Sequence, residues 1–364
     1  MLECHNGQHT DAPAPYATPL WGTAVTQQMW VPAPPADHRA AGKEPGGPPR
    51  PAKAPRPRSR GCTGPLLAAL ITAVVLLALC VVAVVVLPGV LIPGDGGRTN
   101  LVLLGIDRRE GTSWGYRTDT IILVTGNADG GVTGMLSIPR DLQVAIPGYG
   151  EDRINTANVY GHRKEDPEAG PALLRATIED SFGTPVDGYL MVDFAAFVQI
   201  IDALGGIDVD VPKTLHDTRY PDPKPADPYA FKTVHFDAGW QHMDGTRAIE
   251  YARSRMSTTD FDRAKRQQLI LLATREKALS FEGIPHWPSA AAAVLGGIRT
   301  DLDAGELLGL ALLAARTDPA GIQQVVLEHP LVTSYTRADG AAVQLPNWDL
   351  INPVVEELFG PQAR

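Results

Sequence analysis

The segment Asn100–Asp141, NLVLLGIDRREGTSWGYRTDTIILVTGNADGGVTGMLSIPRD, decides the fold of this chain. It contains three apolar runs with the length and β-branched content of buried strands: Leu101–Ile106, Thr120–Val124 and Val132–Ile138. Charged residues stand where these runs begin or end, and ligand sites in mixed α/β sheets are usually built at strand ends. The segment therefore predicts an α/β domain with a ligand site at the ends of its strands.

The charged residues at these strand ends combine acids with arginines. They are Asp107 after the first run, Arg117 and Asp119 before the second, and Arg140 and Asp141 after the third. Mg²⁺ prefers carboxylate oxygen, and a guanidinium group binds phosphate through two parallel hydrogen bonds. The alternation therefore indicates a metal ion held beside phosphate. The alternative is a set of surface ion pairs on loops.

The first 64 residues differ from the rest of the chain in composition. Pro, Ala and Gly dominate there and no apolar period occurs, which predicts a disordered tail. Seven Lys and Arg against four acids give this tail a net charge of +3, so the remaining residues carry −12 of the total of −9. An acidic main domain argues against nucleic acid as its partner, because phosphate backbones select basic surfaces.

An uncharged apolar stretch, Leu66–Leu87, follows the tail. As a helix it would cover roughly 33 Å, which is enough to cross the hydrocarbon core of a bilayer. We assign a transmembrane helix to residues 65–92 and a linker to residues 93–97; a buried core helix is the alternative. Lys and Arg precede this helix, so the positive-inside rule places the tail in the cytoplasm and residues 98–364 outside the cell membrane.

Residues 98–364 show helix and strand patterns, no internal repeat and no second change of composition, which predicts one α/β domain. Helices are predicted over Arg153–His162, Pro171–Phe182, Phe194–Leu204, Asp244–Arg253, Phe261–Ser280 and Asp303–Ala315. Further strands are predicted over Tyr189–Asp193 and Ile207–Val211, and a surface loop over Lys213–Lys232.

Several common catalytic motifs are absent from the sequence. It contains no GxSxG, HExxH, P-loop or GxGxxG string. The cysteines Cys4, Cys62 and Cys80 all precede residue 98, so disulfides and cysteine-based zinc or nucleophilic chemistry are excluded from the main domain. The histidines of this domain are scattered without ligand spacing, so we expect them to be structural or surface residues.

A second informative segment is Tyr251–Gln268, YARSRMSTTDFDRAKRQQ. Arg253 and Arg255 alternate, so in an extended segment they would face the same side. Arg263 and Gln267 lie four residues apart and share one face of the following helix.

We expect Asp260 or Asp262 to cap this helix, whose N-terminus then forms an anion site. Arg266 lies one turn from Arg263. The segment uses Arg in place of Lys almost throughout, and that bias favours bidentate phosphate recognition. The alternative is a solvated, charged helix face.

The motifs LLGID, RTDT, SIPRD, RINTANVYG, the GG of DALGGIDVDV, and YARSR followed by DRAKRQQ occur in this order. They resemble the LytR-CpsA-Psr family of bacterial envelope proteins, over roughly residues 98 to 280. The string TDLDAGELLGLA near residue 300 also fits that family. The richness in Ala, Gly, Pro and Arg suggests a high-GC source and favours the actinobacterial type.

The resemblance implies a single α/β/α sandwich domain with a mixed central sheet. It also implies an enzyme that binds a polyprenyl-(pyro)phosphate-linked glycopolymer and transfers it, with the help of Mg²⁺, to a hydroxyl group of peptidoglycan in cell wall assembly. Two alternatives remain open. One is a non-catalytic polyprenyl-phosphate-binding envelope protein or regulator, and the other is a lipid pyrophosphatase that uses water as its acceptor.

The family motifs also imply roles for individual residues. Asp107 and Asp119 would hold the metal, and the catalytic set would be Arg117, Asp119, Arg140 and Asp141, with Asp141 or Asp119 as the general base. The pyrophosphate would be bound by Arg117, Arg140, Arg153, Arg253, Arg255, Arg263, Arg266 and Gln267. An apolar lipid pocket would be lined by Phe194, Phe197, Val198, Ile201, Leu269 and Leu272, for each of which core packing is the alternative.

The sequence departs from the family pattern at two positions. Arg153 stands where the family often has Lys, which keeps the charge and changes its reach. Asp262 stands where the family often has Gly. An acid beside Arg263 would either weaken a phosphate clamp or cap the helix.

Overall fold

The computed structural model describes residues 98–107, 116–127, 131–163, 165–222, 227, 230–256 and 258–361. All described residues belong to one compact unit, Cys62–Arg364. The predicted tail, transmembrane helix and linker lie outside the described residues. Within the described ranges, none of the helices combines the length and the apolarity that a membrane crossing needs.

Strands dominate the first part of this unit, and helices and strands alternate in the rest. In chain order the strands are β1 (Thr99–Ile106), β2 (Thr118–Asn127), β3 (Gly131–Ser137), β4 (Gln143–Ile146), β5 (Gly150–Arg153), β6 (Gly188–Asp193), β7 (Ile207–Val211), β8 (Leu215–Pro221), β9 (Phe231–Phe236), β10 (Gly239–Met243), β11 (Ile298–Thr300), β12 (Gln323–Val326), β13 (Val332–Thr336) and β14 (Ala342–Pro346). The α-helices are α1 (Ala157–Gly161), α2 (Ala169–Phe182), α3 (Phe194–Ala203), α4 (Gly245–Arg253), α5 (Asp260–Leu279), α6 (Trp287–Gly297), α7 (Ala304–Arg316) and α8 (Trp348–Phe359). Short 3₁₀ turns occur at Ile154–Thr156, Ile284–His286 and Pro319–Gly321.

A six-stranded mixed sheet in the spatial order β11-β6-β1-β2-β3-β12 forms the centre of the domain. β2 runs antiparallel to both β1 and β3, whereas β6 is parallel to β1 and β12 is parallel to β3. The remaining strands form the two-stranded sheets β4–β5, β7–β10, β8–β9 and β13–β14. The mixed α/β class predicted from the sequence is confirmed.

Helices pack against both faces of the central sheet because its strands alternate apolar side chains between the two faces. On one face Val102, Leu123 and Leu136 form a core with α2 and α8. On the other face Ile122 and Met135 form a smaller cluster with side chains of α5. A further core joins α3, α4 and α5 to the small sheets β7–β10 and β8–β9.

The boundaries of the helices follow from local sequence signals. Asp193 caps α3 by accepting a hydrogen bond from the Ala196 amide at 2.8 Å, and Asp303 forms a capping box at the start of α7. Helix α2 ends at Gly183, whose φ of 63° is a left-handed conformation that glycine adopts without a steric penalty. These helices agree closely with the sequence predictions.

Two sequence predictions are wrong in part. The segment Lys213–Lys232, predicted to be a surface loop, supplies β8 and the start of β9. The helix predicted over Arg153–His162 is shorter, because Arg153 still pairs with Gln143 as the last residue of β5. The apolar residues of both segments pack into larger cores, which local patterning does not reveal.

Candidate active site

The topology of the sheet gathers the charged strand ends at one edge. Because β1 and β2 are antiparallel, Ile106 at the end of β1 pairs with Thr118 at the start of β2. Because β2 and β3 are also antiparallel, Ser137 at the end of β3 lies opposite Ile122. β6 is parallel to β1, so its end, followed by α3, reaches the same edge. The strand ends that carry the predicted site residues therefore lie at one edge of the sheet.

A cleft of about 430 Å³ opens at this edge. Its wall contains the carboxylates of Asp107, Asp119 and Asp217, the guanidinium groups of Arg140, Arg219, Arg253, Arg255 and Arg263, and the side chains of Thr120, Phe194, Pro221, Phe231, Met256 and Gln267. Five arginines and three acids give the wall a positive surplus. The cleft therefore attracts an anion inside a domain that is acidic as a whole.

Arg140 connects three carboxylates at the inner part of the cleft. Its guanidinium group donates to Asp119 at 2.9 Å and lies 3.3 Å from Asp141 and 3.7 Å from Asp260. Burial lowers the pKa of Arg140, but the attraction of these three carboxylates outweighs it and the net pKa is raised. Arg140 therefore stays a cation, held in a fixed orientation toward the cleft.

Arg263 is the most deeply buried cation of the cleft, with 7% of its side chain exposed. Burial is the largest influence on this group, and the neighbouring cations Arg255 and Arg140 add to it, so that the pKa of Arg263 falls to about 10. The carboxylate of Asp260, at 3.0 Å, opposes this fall. The charge of this buried cation is only partly compensated by its one partly exposed partner, and a bound phosphate would complete the compensation.

Arg253 also lines the cleft. Its guanidinium carbon lies 3.9 Å above the ring of Phe194, and its nitrogens reach Asp107 at 3.7 Å and the Tyr220 hydroxyl at 3.3 Å. Stacking on the ring leaves the edge of the guanidinium group available for hydrogen bonds. Arg253 is the last residue of α4, so the expectation that it lies with Arg255 in an extended segment is wrong for this residue.

Asp217 is a site residue that sequence reasoning missed. It is 2% exposed and accepts hydrogen bonds from the Ser254 hydroxyl at 2.6 Å and from the amides of Arg255 and Met256 at 3.0 and 3.3 Å. Burial opposes its ionisation, but these bonds stabilise the carboxylate and lower its pKa. Asp217 thus fixes the turn between α4 and α5 that carries the arginines. The alternation of apolar residues in β8 and β9 could have indicated strands here, but the neighbouring Pro-rich sequence favoured a loop.

Helix α5 presents Arg263 and Gln267 to the cleft, as the four-residue spacing predicted. Its N-cap is Thr259, so the expected N-cap at Asp260 is wrong. Asp262 completes a capping box by accepting a hydrogen bond from the Thr259 amide, which agrees with the expectation that it caps the helix. Asp260 instead pairs with Arg140 and Arg263.

Arg266 does not reach the cleft wall. It is 6% exposed and donates to the backbone carbonyls of Tyr251 and Ser254. The predicted phosphate-binding role of Arg266 is therefore wrong, because its hydrogen-bond donors are already satisfied by carbonyl groups at the end of α4. Arg266 connects the two helices that carry the arginines.

Arg117 and Arg153 line a neighbouring pocket and not the cleft itself. Arg153 approaches Asp141 at 3.7 Å, so it is connected to Arg140 through this carboxylate. The structure therefore separates the predicted pyrophosphate ligands into two groups.

The predicted lipid-pocket residues take different positions. Phe194 lines the cleft, Phe197 packs against the core that contains Ile201, and Leu272 packs against the sheet. Ile201 is only 1% exposed, which corresponds to the core-packing alternative. Val198 and Leu269 are half-buried.

The donor set of the cleft fits Mg²⁺ only if phosphate completes its coordination. Asp107 and Asp119 line the same cleft, and each is within ion-pair distance of an arginine. Among the described residues, no group of three or more His, Cys, Asp or Glu side chains is arranged to hold a metal. Mg²⁺ is commonly bound by one or two carboxylates together with substrate phosphate and water, so two carboxylates beside an anion site suffice.

Comparison with known sequences identifies related proteins. The chain is 34% identical over 210 residues to polyisoprenyl-teichoic acid–peptidoglycan teichoic acid transferase TagU of Oceanobacillus iheyensis, with 57% of this chain and 60% of that protein covered. It is 32% identical over 216 residues to the corresponding transferase TagT of Bacillus subtilis, covering 58% and 62%. It is also 27% identical over 258 residues to regulatory protein MsrR of Staphylococcus aureus, covering 69% and 71%. The match spans less than two thirds of either transferase.

Comparison with solved structures shows the same fold. TagT bound to LIIa-WTA matches with a TM-score of 0.57 and 24% identity, covering 75% of this chain and 93% of that one. Bacillus subtilis TagV matches with a TM-score of 0.57 and 24% identity, covering 73% and 98%. The model of the LytR_cpsA_psr family matches residues 90–358, which is most of the chain. This protein therefore belongs to the LytR_cpsA_psr family.

Proposed function

We propose that this protein is a membrane-anchored phosphotransferase that moves a glycopolymer from a polyprenyl pyrophosphate carrier onto a peptidoglycan hydroxyl in cell wall assembly. The observation that carries the proposal is the cleft itself, where two carboxylates and several arginines converge beside an exposed aromatic ring. The related TagU and TagT are named as teichoic acid–peptidoglycan transferases, which supports the same reaction class here.

The arginines would bind the pyrophosphate from two sides. Arg140 and Arg263 each pair with Asp260, and Arg253 lies above the ring of Phe194. Guanidinium groups held by ion pairs and ring stacking need little reorganisation to receive phosphate oxygens. Gln267 adds an uncharged donor on the same helix face as Arg263.

Asp107 and Asp119 are the residues that would hold Mg²⁺. When bound, this ion would neutralise charge on the phosphate oxygens beside the reacting phosphorus. Each carboxylate would then exchange part of its contact with an arginine for the ion, and the released guanidinium groups would face the phosphate. Metal and pyrophosphate would therefore favour each other's binding.

In the transfer, the acceptor hydroxyl oxygen would form a bond to the phosphorus that bears the glycan. The bond from this phosphorus to the bridging oxygen would break, and polyprenyl phosphate would leave with that oxygen. Asp141, 3.3 Å from Arg140, would take the hydroxyl proton, since it lies beside the cleft and contacts Arg153 on its other side. The arginines would stabilise the charge that develops on the transferred group.

The polyprenyl chain would extend over apolar surface around the cleft. Phe194 and Phe231 line its wall, and Phe231 is 52% exposed. Leu103 and Val124 are partly buried on the sheet face that α5 covers. An anchor at residues 65–92 would hold this α/β/α domain next to the bilayer, outside the cytoplasm, where lipid-linked substrates reside.

The test uses the full chain purified in detergent, Mg²⁺, a polyprenyl-pyrophosphate-linked oligosaccharide and soluble peptidoglycan strands. We expect polyprenyl phosphate and a glycan–peptidoglycan phosphodiester to form in equal amounts. Release without the adduct would indicate a lipid pyrophosphatase. No release from lipid that is shown to be bound would exclude catalysis.

The name of the relative MsrR, a regulatory protein, supports a second candidate function, a non-catalytic binder of polyprenyl phosphates. This function would use the same arginines without turnover. It predicts that Arg253→Ala abolishes lipid binding while the wild-type protein releases no product under any condition. Product formation by the wild type would exclude it.

A further inference from the structure

A second pocket of about 530 Å³ borders the catalytic cleft. Its wall contains the charged side chains of Arg117, Asp152, Arg153, Arg337 and Asp339, together with Thr156, Val159, Tyr160 and residues 340–342. A short chain of ion pairs connects the pocket to the cleft, from Asp119 through Arg140 and Asp141 to Arg153, with successive distances of 2.9, 3.3 and 3.7 Å. The two cavities therefore share one charged wall.

The side chains of this pocket are held in place by direct contacts. Asp152 accepts hydrogen bonds from the Tyr160 hydroxyl at 2.6 Å, from Thr156 at 3.3 Å and from Arg337 at 3.2 Å. Burial opposes the ionisation of Asp152, but these bonds outweigh it and lower its pKa. Arg337 also pairs with Asp339 at 2.7 Å. Such a network fixes the pocket in one shape before any ligand arrives.

The pocket has a surplus of positive charge. Three guanidinium groups face two carboxylates, and both of these carboxylates pair with Arg337. Arg117 is exposed and makes no ion pair within the described part of the chain. The buried Nε of Arg153 has no hydrogen-bond partner there either. These two residues leave donors for an anionic ligand.

An aromatic surface extends the pocket on one side. The rings of Tyr149 and Tyr160 stack at a centroid distance of 4.9 Å with an interplanar angle of 11°. Tyr149 is 47% exposed, and its hydroxyl donates to the Tyr160 carbonyl and accepts from Arg163. An exposed, fixed tyrosine ring beside guanidinium groups suits a sugar ring that carries a carboxylate.

We propose that this pocket binds the acceptor, a peptidoglycan glycan strand with free peptide carboxylates. Arg117 and Arg153 would receive the carboxylates, and Tyr149 would receive a sugar face. Arg337 would hold Asp152 and Asp339 in the wall of the pocket. This inference rests on the proposed function and assigns the position of its second substrate.

The direction of the reaction supports this position. In a phosphoryl transfer the attacking and leaving oxygens lie on opposite sides of the phosphorus. Phe194 lies beneath Arg253 in the wall of the cleft, whereas Asp141 contacts both Arg140 of the cleft and Arg153 of the pocket. A hydroxyl that arrives from the pocket would pass Asp141, the candidate base, as it approaches the phosphorus.

The test measures equilibrium binding of a soluble disaccharide-tetrapeptide from peptidoglycan to the full chain in detergent, without lipid substrate. We expect Arg337→Gln and Tyr149→Ala each to weaken this binding at least tenfold. The matched control is Arg299→Gln, which removes an arginine paired with Glu168 outside both cavities and should leave binding unchanged. The same fragment with its carboxylates amidated should bind at least tenfold more weakly.

Three outcomes would overturn the assignment: unchanged binding in both pocket variants, equal binding of the amidated fragment, or full competition by inorganic pyrophosphate, which would place the fragment in the cleft. In the transfer assay, both variants should raise the KM for peptidoglycan at least tenfold and leave the KM for the lipid donor within twofold. A wild-type protein that binds the fragment but transfers nothing would contradict the proposed function and leave the pocket assignment supported.

Discussion

The guanidinium group of Arg140 donates to the carboxylate of Asp119 across 2.9 Å, so a predicted phosphate ligand and a predicted metal ligand satisfy each other. The side chains of this pair are 21% and 28% exposed. A phosphate and a Mg²⁺ ion would each replace one partner of the pair. This exchange makes the two residues informative targets for substitution.

Asp119→Asn should lower the rate of polyprenyl phosphate release by about 100- to 1,000-fold, as expected for loss of a group that acts on transition-state charge. Its free energy of unfolding should change by no more than about 1 kcal/mol, because partly exposed ion pairs contribute little. Release assays at saturating Mg²⁺ and urea unfolding check both statements. Glu276→Gln, on the exposed side of α5, is the control. Near-normal release by Asp119→Asn would contradict the metal role.

Arg263→Leu should separate stability from function. The pKa of Arg263 is lowered to about 10, which means that the folded state holds this proton less tightly than the unfolded state. The resulting cost is present below about pH 10 and disappears as the pH rises above that value, and it amounts to about 3 kcal/mol at neutral pH. Removing the buried charge should therefore raise the free energy of unfolding by about 1–3 kcal/mol and abolish thermal stabilisation by inorganic pyrophosphate. A variant that is less stable than the wild type would count against an unmet charge in the cleft.

Asp217→Ala should destabilise the fold by about 2–4 kcal/mol, because it removes a carboxylate that is hydrogen-bonded to Ser254 and to three amides. The lowered pKa of Asp217 means that its contribution is complete above pH 3.8 and is lost as the pH falls through the lower folded value. The difference in unfolding free energy between the wild type and Asp217→Asn should therefore shrink on acidification below pH 3.8. A difference that stays constant with pH would show that the charge is not involved.

Asp262→Gly, which restores the residue common in the family, tests whether this acid serves the helix or the cleft. Asp262 accepts a hydrogen bond from the Thr259 amide at 2.9 Å and completes the capping box. The substitution should cost about 1–2 kcal/mol of stability, and Thr259→Ala should cost about 1 kcal/mol. The affinity for inorganic pyrophosphate should stay within twofold of the wild type. A clear gain in affinity would show that Asp262 weakens the clamp.

The residues of the site could be predicted best where strand ends and motifs coincide. Asp107, Asp119 and Arg140 converge because antiparallel neighbours bring the end of one strand beside the start of the next. Arg263 and Gln267 share the cleft because helical spacing fixes their common face. These relationships depend on local geometry, and local geometry can be predicted from the sequence.

Other features depend on tertiary contacts. Arg266 has the same spacing from Arg263 as a cleft residue would have, yet its donors are taken up by carbonyls at the end of α4. Arg117 belongs to the RTDT motif but lies just before the first residue of β2 and lines the neighbouring pocket, so the pattern of the strand does not determine the direction of its side chain. Asp217 lies in the site because β8 and β9 pack against α4, and this tertiary contact cannot be read from local sequence.

The side chain of Arg98, the first described residue, donates to the carbonyl of Leu358 in the last helix at 2.6 Å. β12, near the end of the chain, also pairs with β3, near the start of the domain. The central sheet therefore cannot close until nearly the whole chain is available, and such long-range pairing makes folding slow. A chain that crosses the membrane from its N-terminal anchor onward would wait unfolded on the far side until its last helix arrived, exposed to proteases and dependent on the chaperones of that compartment.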